Sequence, residues 1–133
     1  MAEWDPIRRT GKPVPTEVYE QGGRIELHFP LSARPPAEWT FYFEGLHNLQ
    51  GDYPPLKVNG DVIVVFALQS QEAFASWTQN VDRDIAQANS AYQEILARRE
   101  REREAAREAD ERRLRKLEEA RSWTEGLDPP ESS

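Results

Sequence analysis

Between Ser70 and Arg121 the chain has neither proline nor glycine, and this uninterrupted stretch limits what the rest can fold into. With Phe74 at zero and about 100° per residue, Trp77, Val81, Ile85, Ala88, Tyr92, Ile95 and Leu96 all fall within about 60° of it. That is one apolar stripe on a helix. Ser70 is placed to cap the start, and Glu72 meets the positive end of the helix dipole. Gly126 and the Pro129-Pro130 pair stop the far end.

The stripe residues recur with 11-residue relations, as in Phe74, Ile85 and Leu96, which corresponds to an almost straight helix. Past Leu96 the same angular count brings Arg99, Arg103, Ala106 and Asp110 onto the stripe before Leu114 and Leu117 restore it. The buried part is therefore expected to end near Leu96. Residues 97–121 interleave Arg, Glu and Ala. Opposite charges meet at i,i+4 in Arg98/Glu102, Glu108/Arg112, Glu111/Arg115 and Arg115/Glu119, with many more at i,i+3. Each pair contributes about 0.2–0.5 kcal/mol, and a ladder of them sustains a helix that buries little. The expectation is a charged helical extension of about 35–40 Å. Residues 122–133 are expected to be disordered unless Trp123 or Leu127 finds a surface.

Upstream, residues 1–15 carry three prolines and Arg8-Arg9, the composition of an extended arm. Trp4 and Ile7 either tuck back onto the domain or dock on a neighbouring subunit or partner. Val18-Tyr19, the Gln21-Gly22-Gly23 turn and the alternating Arg24 to Phe29 run predict a hairpin with Ile25, Leu27 and Phe29 facing the core. Trp39, Phe41 and Phe43 alternate with Thr40, Tyr42 and Glu44, predicting a third strand. Residues 45–55 read as a loop pinned by Leu46 and Leu49. Asn59-Gly60, between Leu56-Lys57-Val58 and Asp61 to Phe66, has the composition of a two-residue hairpin turn with positive φ at both central positions. The unalternating run Val62 to Leu68 suits a strand covered on both faces or central in the sheet.

The predicted fold is α+β: a small, mostly antiparallel sheet of four or five strands taken in order, followed by the long helix, whose first half packs on it. Residues 16–96 make the folded domain on this reading. The stripe from Phe74 to Leu96 supplies the helix side of the packing.

The net charge of −7 argues against nonspecific attachment to nucleic acid or to an anionic membrane, which need a cationic surface. The charge is −3 over residues 1–70, −3 over 71–96, +2 over 97–121 and −3 over 122–133. With no cysteine, disulfides, thiolate metal sites and cysteine nucleophiles are excluded. The N-terminal residues lack the apolar core of a signal peptide, and no run of about 18 apolar residues follows, so a soluble, cytoplasmic protein with no membrane association is expected.

His28 and His47, with Glu26 or Asp52 nearby, are the only histidines from which a metal or acid-base site could start. No HxH or HxxxH spacing accompanies them, no GxSxG or phosphate-loop motif occurs, and ordinary surface histidines are the better reading. No catalytic, cofactor or metal site is expected. The aromatics exceed what so small a core hides, and Tyr19, Tyr42 and Tyr53 are the candidates for a protein-binding surface. Leu114 and Leu117 are candidate anchors for helix pairing. The sequence thus points to a non-enzymatic binding or assembly module, with itself as the favoured partner and the charged helix as spacer or self-association element. Two rivals remain open. One is a nucleic-acid-associated accessory protein using Arg98, Arg99, Arg103, Arg112, Arg113 and Arg115; the other is a small hydrolase or metal enzyme around His28 or His47.

Overall fold

The computed structural model describes residues 4–48 and 56–130. Strands β1 (Val14–Tyr19) and β2 (Arg24–Pro30) form a hairpin, and helix α1 (Ala37–Asn48) follows. A second hairpin, β3 (Lys57–Asn59) and β4 (Val62–Leu68), leads into helix α2 (Gln71–Trp123). The fold is α+β: four antiparallel strands in one sheet, then a long C-terminal helix whose first half packs on it. Two compact units divide the chain, 1–94 and 95–133.

The strands do not lie in chain order. The sheet runs β1-β2-β4-β3, so β4 sits between β2 and the three-residue edge strand β3. The all-apolar Val62–Leu68 segment therefore occupies an inner position. A strand with apolar side chains on both faces is stabilised most where neighbours flank it.

The third predicted strand is instead the helix α1. Trp39 and Phe43 lie four residues apart, which suits one face of a helix as well as one face of a strand. Pro35-Pro36, just ahead of Ala37, suits a helix start, because a proline there gives up only an N–H that no helical carbonyl would accept. The Pro36 carbonyl accepts the Thr40 amide at 3.0 Å. Trp39 and Phe43 stack with centroids 5.0 Å apart and are fully buried, whereas Phe41 is 83% exposed. That Phe41 lies opposite them is what the helix requires and what a strand would forbid. Residues 45–48, expected in a loop, complete this helix.

The second turn is also displaced by one residue. Asn59 pairs with Val62, so the two-residue loop is Gly60-Asp61, with φ of 64° at Gly60. No non-glycine among the described residues has positive φ. Glycine at the first central position with an ordinary second residue is the pattern of a type II′ turn.

One core joins the layers. Leu27 and Phe29 of β2, Ile63, Val65 and Ala67 of β4, Trp39 and Phe43 of α1, and Val81, Ile85 and Ala88 of α2 form it with Ile7, Leu31 and Leu56. Phe74, Trp77 and Tyr92 are half-buried against it. Ile95 and Leu96 are also half-buried. The Ser70 hydroxyl accepts the Ala73 amide at 3.0 Å, capping α2 as expected.

Residues 4–10 lie on this unit, so Trp4 and Ile7 tuck back onto the domain. Trp4 meets Tyr92 edge to face at 4.8 Å, and Arg9 forms a two-point ion pair with Asp82 at 2.8 and 3.0 Å. Between them the Asn89 carboxamide accepts the Ile7 amide and donates to the Ile7 carbonyl, at 3.1 and 2.9 Å. Its oxygen also accepts the Trp39 indole N–H at 2.8 Å. One side chain thus fastens the arm to both helices.

Candidate interaction face of the sheet

Both helices share the core with Leu27, Phe29, Ile63, Val65 and Ala67, which point to one side of the sheet. Residues directly opposite in antiparallel strands share a face, so register assigns the other side row by row. Tyr19, Arg24 and Leu68 form one row. Glu17, Glu26 and Phe66 form the next; Val14, His28, Val64 and Lys57 the third; Pro30, Val62 and Asn59 the last. Down the middle runs an apolar column, Val62, Val64, Phe66 and Leu68. Leu68 is 52% exposed and the other three are half-buried.

Beside the column lies a hydrogen-bonded cluster built by a β-bulge. The pairing skips from Pro15 to Glu17, so Thr16 is the extra residue and both fit against Glu26. The Glu26 carboxylate accepts the Thr16 hydroxyl at 2.9 Å and the Tyr19 phenol at 3.0 Å, and pairs with His28 Nε2 at 2.7 Å. The Tyr19 ring leans on Phe66 with centroids 5.6 Å apart. Arg24 lies along the sheet, donating to the Phe66 carbonyl at 3.2 Å. The bond with His28, then that from Thr16, holds the Glu26 pKa below its ordinary value. The bond to Glu26 raises that of Tyr19.

A pH dependence follows. Because Glu26 is depressed in the fold, its contribution to stability is complete above the unfolded carboxylate value of about 4.5 and is lost as pH falls through the lower folded value. Thermal melts of the chain and of Glu26→Gln are expected to converge on acidification below about pH 4.5 and to separate above it. Parallel curves across that range would mean that the cluster contributes nothing.

Tyr19, predicted as a binding residue, is 43% exposed on this face. Tyr42 is on α1, half-exposed above a shallow depression lined by Ala86, Gln87, Ser90, Ala91 and Glu94 of α2. Tyr19 and Tyr42 are therefore on different elements and are not brought together. Tyr53 and Asp52 lie outside the described residues, as does the His47 side chain. Leu114 and Leu117 are exposed on α2, at 51% and 44%. His28, expected to be an outward surface histidine, points outward into the Glu26 cluster. No group of three or more His, Asp or Glu placed to hold a metal occurs among the described residues.

Sequence reasoning missed the apolar column, because the sheet order that leaves one face of β4 open is a tertiary fact. It also missed Asp84, a carboxylate buried in α2 and bonded by Arg83 Nε at 3.2 Å. No helix among the described residues is long and apolar enough to cross a membrane. Comparison with protein-family models, curated proteins and solved structures gives no match.

Proposed function

We propose that the protein is a non-enzymatic binding or assembly module whose sheet supplies the recognition surface and whose charged helical residues 97–121 act as spacer or self-association element. The observation that carries this reading is the sheet face opposite α1 and the first half of α2, where, among the described residues, Leu68 and Tyr19 are exposed, Val62, Val64 and Phe66 are half-buried, and a hydrogen-bonded polar cluster lies beside them. An apolar centre with aromatic side chains and a polar border is the anatomy of protein-protein contact surfaces. A homo-oligomer is the favoured form.

The nucleic-acid reading draws less support. Arg103 pairs with Glu100 at 3.7 Å, Arg113 with Asp110 at 3.0 Å, and Arg107 with Glu104, each acid three residues before its base. Guanidinium groups engaged this way, on a segment with an excess of two positive charges, make a weak phosphate-binding surface.

Light scattering on the full chain tests the reading. Leu114→Arg combined with Leu117→Arg is expected to lower the mass if the charged helix self-associates, and to leave it unchanged if that segment is a spacer. A full chain that is monomeric at every concentration, and captures no protein partner, would remove the assembly reading. Steeply salt-dependent binding to DNA or RNA would replace it.

A further inference from the structure

We propose that two copies of this chain associate through the sheet face opposite α1 and the first half of α2, packed face to face about a twofold axis that runs along β4. The inference rests on the assembly reading and names both the surface and the partner.

Three properties of the face point to a second copy. The first is charge. Residues 1–94 hold seven Lys and Arg against thirteen Asp and Glu, a net of −6, so like copies repel over most of this unit. The outer face holds Glu17 and Glu26 against Arg24 and Lys57 and sums to zero. Two acidic molecules meet there without that repulsion.

The second is self-complementarity. The acids lie on the β1 and β2 side of the apolar column, and Lys57 lies on the β3 side. A twofold along β4 sets each column against its own copy and places Lys57 of each chain over β2 of the other. Lys57 occupies the row of His28, one row from Glu26. The length of a lysine side chain lets it lean across that one-row step. Symmetry then gives the contact twice. A nucleic acid would need a net positive face, which this one lacks.

The third is low cost. Glu26 already accepts bonds from Thr16 and Tyr19 and pairs with His28, so covering it leaves no unpaired carboxylate oxygen. Those bonds also fix the side chains before contact, which lowers the ordering entropy of association.

Area sets the strength. With β2, β4 and β3 overlapping, strands about 4.8 Å apart and about 3.3 Å per residue outline a footprint of about 14 by 23 Å per copy. That is less than half of the roughly 800 Å² per partner of a standard interface, which places the dimer among weak, transient contacts with a Kd of about 10–1000 μM.

Sedimentation velocity on the full chain, from about 10 μM to 1 mM, is the test. A reversible monomer-dimer equilibrium is expected. Phe66→Glu sets two carboxylates against each other across the axis and is expected to weaken association at least tenfold. Val64→Thr, which keeps shape and β preference, checks that the effect is not unfolding and is expected to weaken it a few-fold, as is Lys57→Glu. Dimerisation untouched by all three but lost in Leu114→Arg/Leu117→Arg would overturn this inference and leave the assembly reading standing. A chain monomeric at 1 mM would overturn the inference together with self-association.

Discussion

Trp39→Ala is expected to lower the unfolding free energy by about 3–5 kcal/mol, the largest effect of any single truncation considered. Its indole is fully buried, stacked on Phe43, and bonded to Asn89. Truncation opens a cavity between α1 and the sheet and removes one of the two donors to the Asn89 oxygen. At the low end of typical total stabilities of about 5–15 kcal/mol, a loss of this size populates unfolded chain at room temperature. Urea denaturation followed by circular dichroism checks it. A loss below about 1.5 kcal/mol would mean that Trp39 is not a central core residue. Trp39→Phe keeps an aromatic ring and much of the volume but loses the indole N–H and part of the bicycle; it is expected to cost about 1–2 kcal/mol.

Asn89→Ala is expected to cost about 2–4 kcal/mol, since it orphans the Ile7 amide, the Ile7 carbonyl and the Trp39 N–H at once. The effect has a local signature that a general loss of packing lacks. With the clasp gone, the Ile7 backbone loses its bonds to α2, and the arm keeps the Trp4 to Tyr92 contact, the backbone bonds of Arg8 and Thr10 to Ser32 and Pro30, and the Arg9 to Asp82 pair, whose exposed carboxylate contributes little. Limited tryptic digestion is expected to cut at Arg8 or Arg9 faster than in the parent chain, with the remainder still folded and the pairing of Arg8 and Thr10 with Ser32 and Pro30 limiting the gain. Unchanged cleavage at those arginines would show that Asn89 does not secure the arm. Asn89→Asp keeps the acceptor for Ile7 and Trp39 but loses the donor to the Ile7 carbonyl, so an intermediate rate is expected.

These two residues also mark where sequence reading stops. The long helix was legible because its period repeats over many turns and its cap, Ser70, is a local device. The first hairpin was legible because Gly22 and Gly23 adopt positive φ between a β-rich pair and an alternating run. α1 was not. Three bulky side chains at alternate positions, Trp39, Phe41 and Phe43, satisfy a period of two, and the outer two satisfy a spacing of four equally; only the prolines ahead of Trp39 tip the balance. The Asn59-Gly60 turn was found but placed one residue early, since either dipeptide containing Gly60 fits a two-residue loop. Asn89 gave no signal, because an asparagine inside a helical pattern has no local reason to be there; its reason is Ile7, distant in sequence. The open face was hidden for a related cause. Apolar side chains on both sides of β4 predict an inner strand but not which side the helices leave uncovered. Of the proposed contact residues, Tyr19 was singled out from sequence, while Phe66 and Lys57 became visible only through register.

The kink at Thr16 bears on where association ends. An outermost strand with regular spacing invites further strands to add along it, and such growth has no terminus. Here Pro15 removes one donor from that border and the inserted threonine breaks its rhythm, while the opposite border is three residues long. Lateral polymerisation is blocked on both flanks, and a pair joined flat against flat closes on itself.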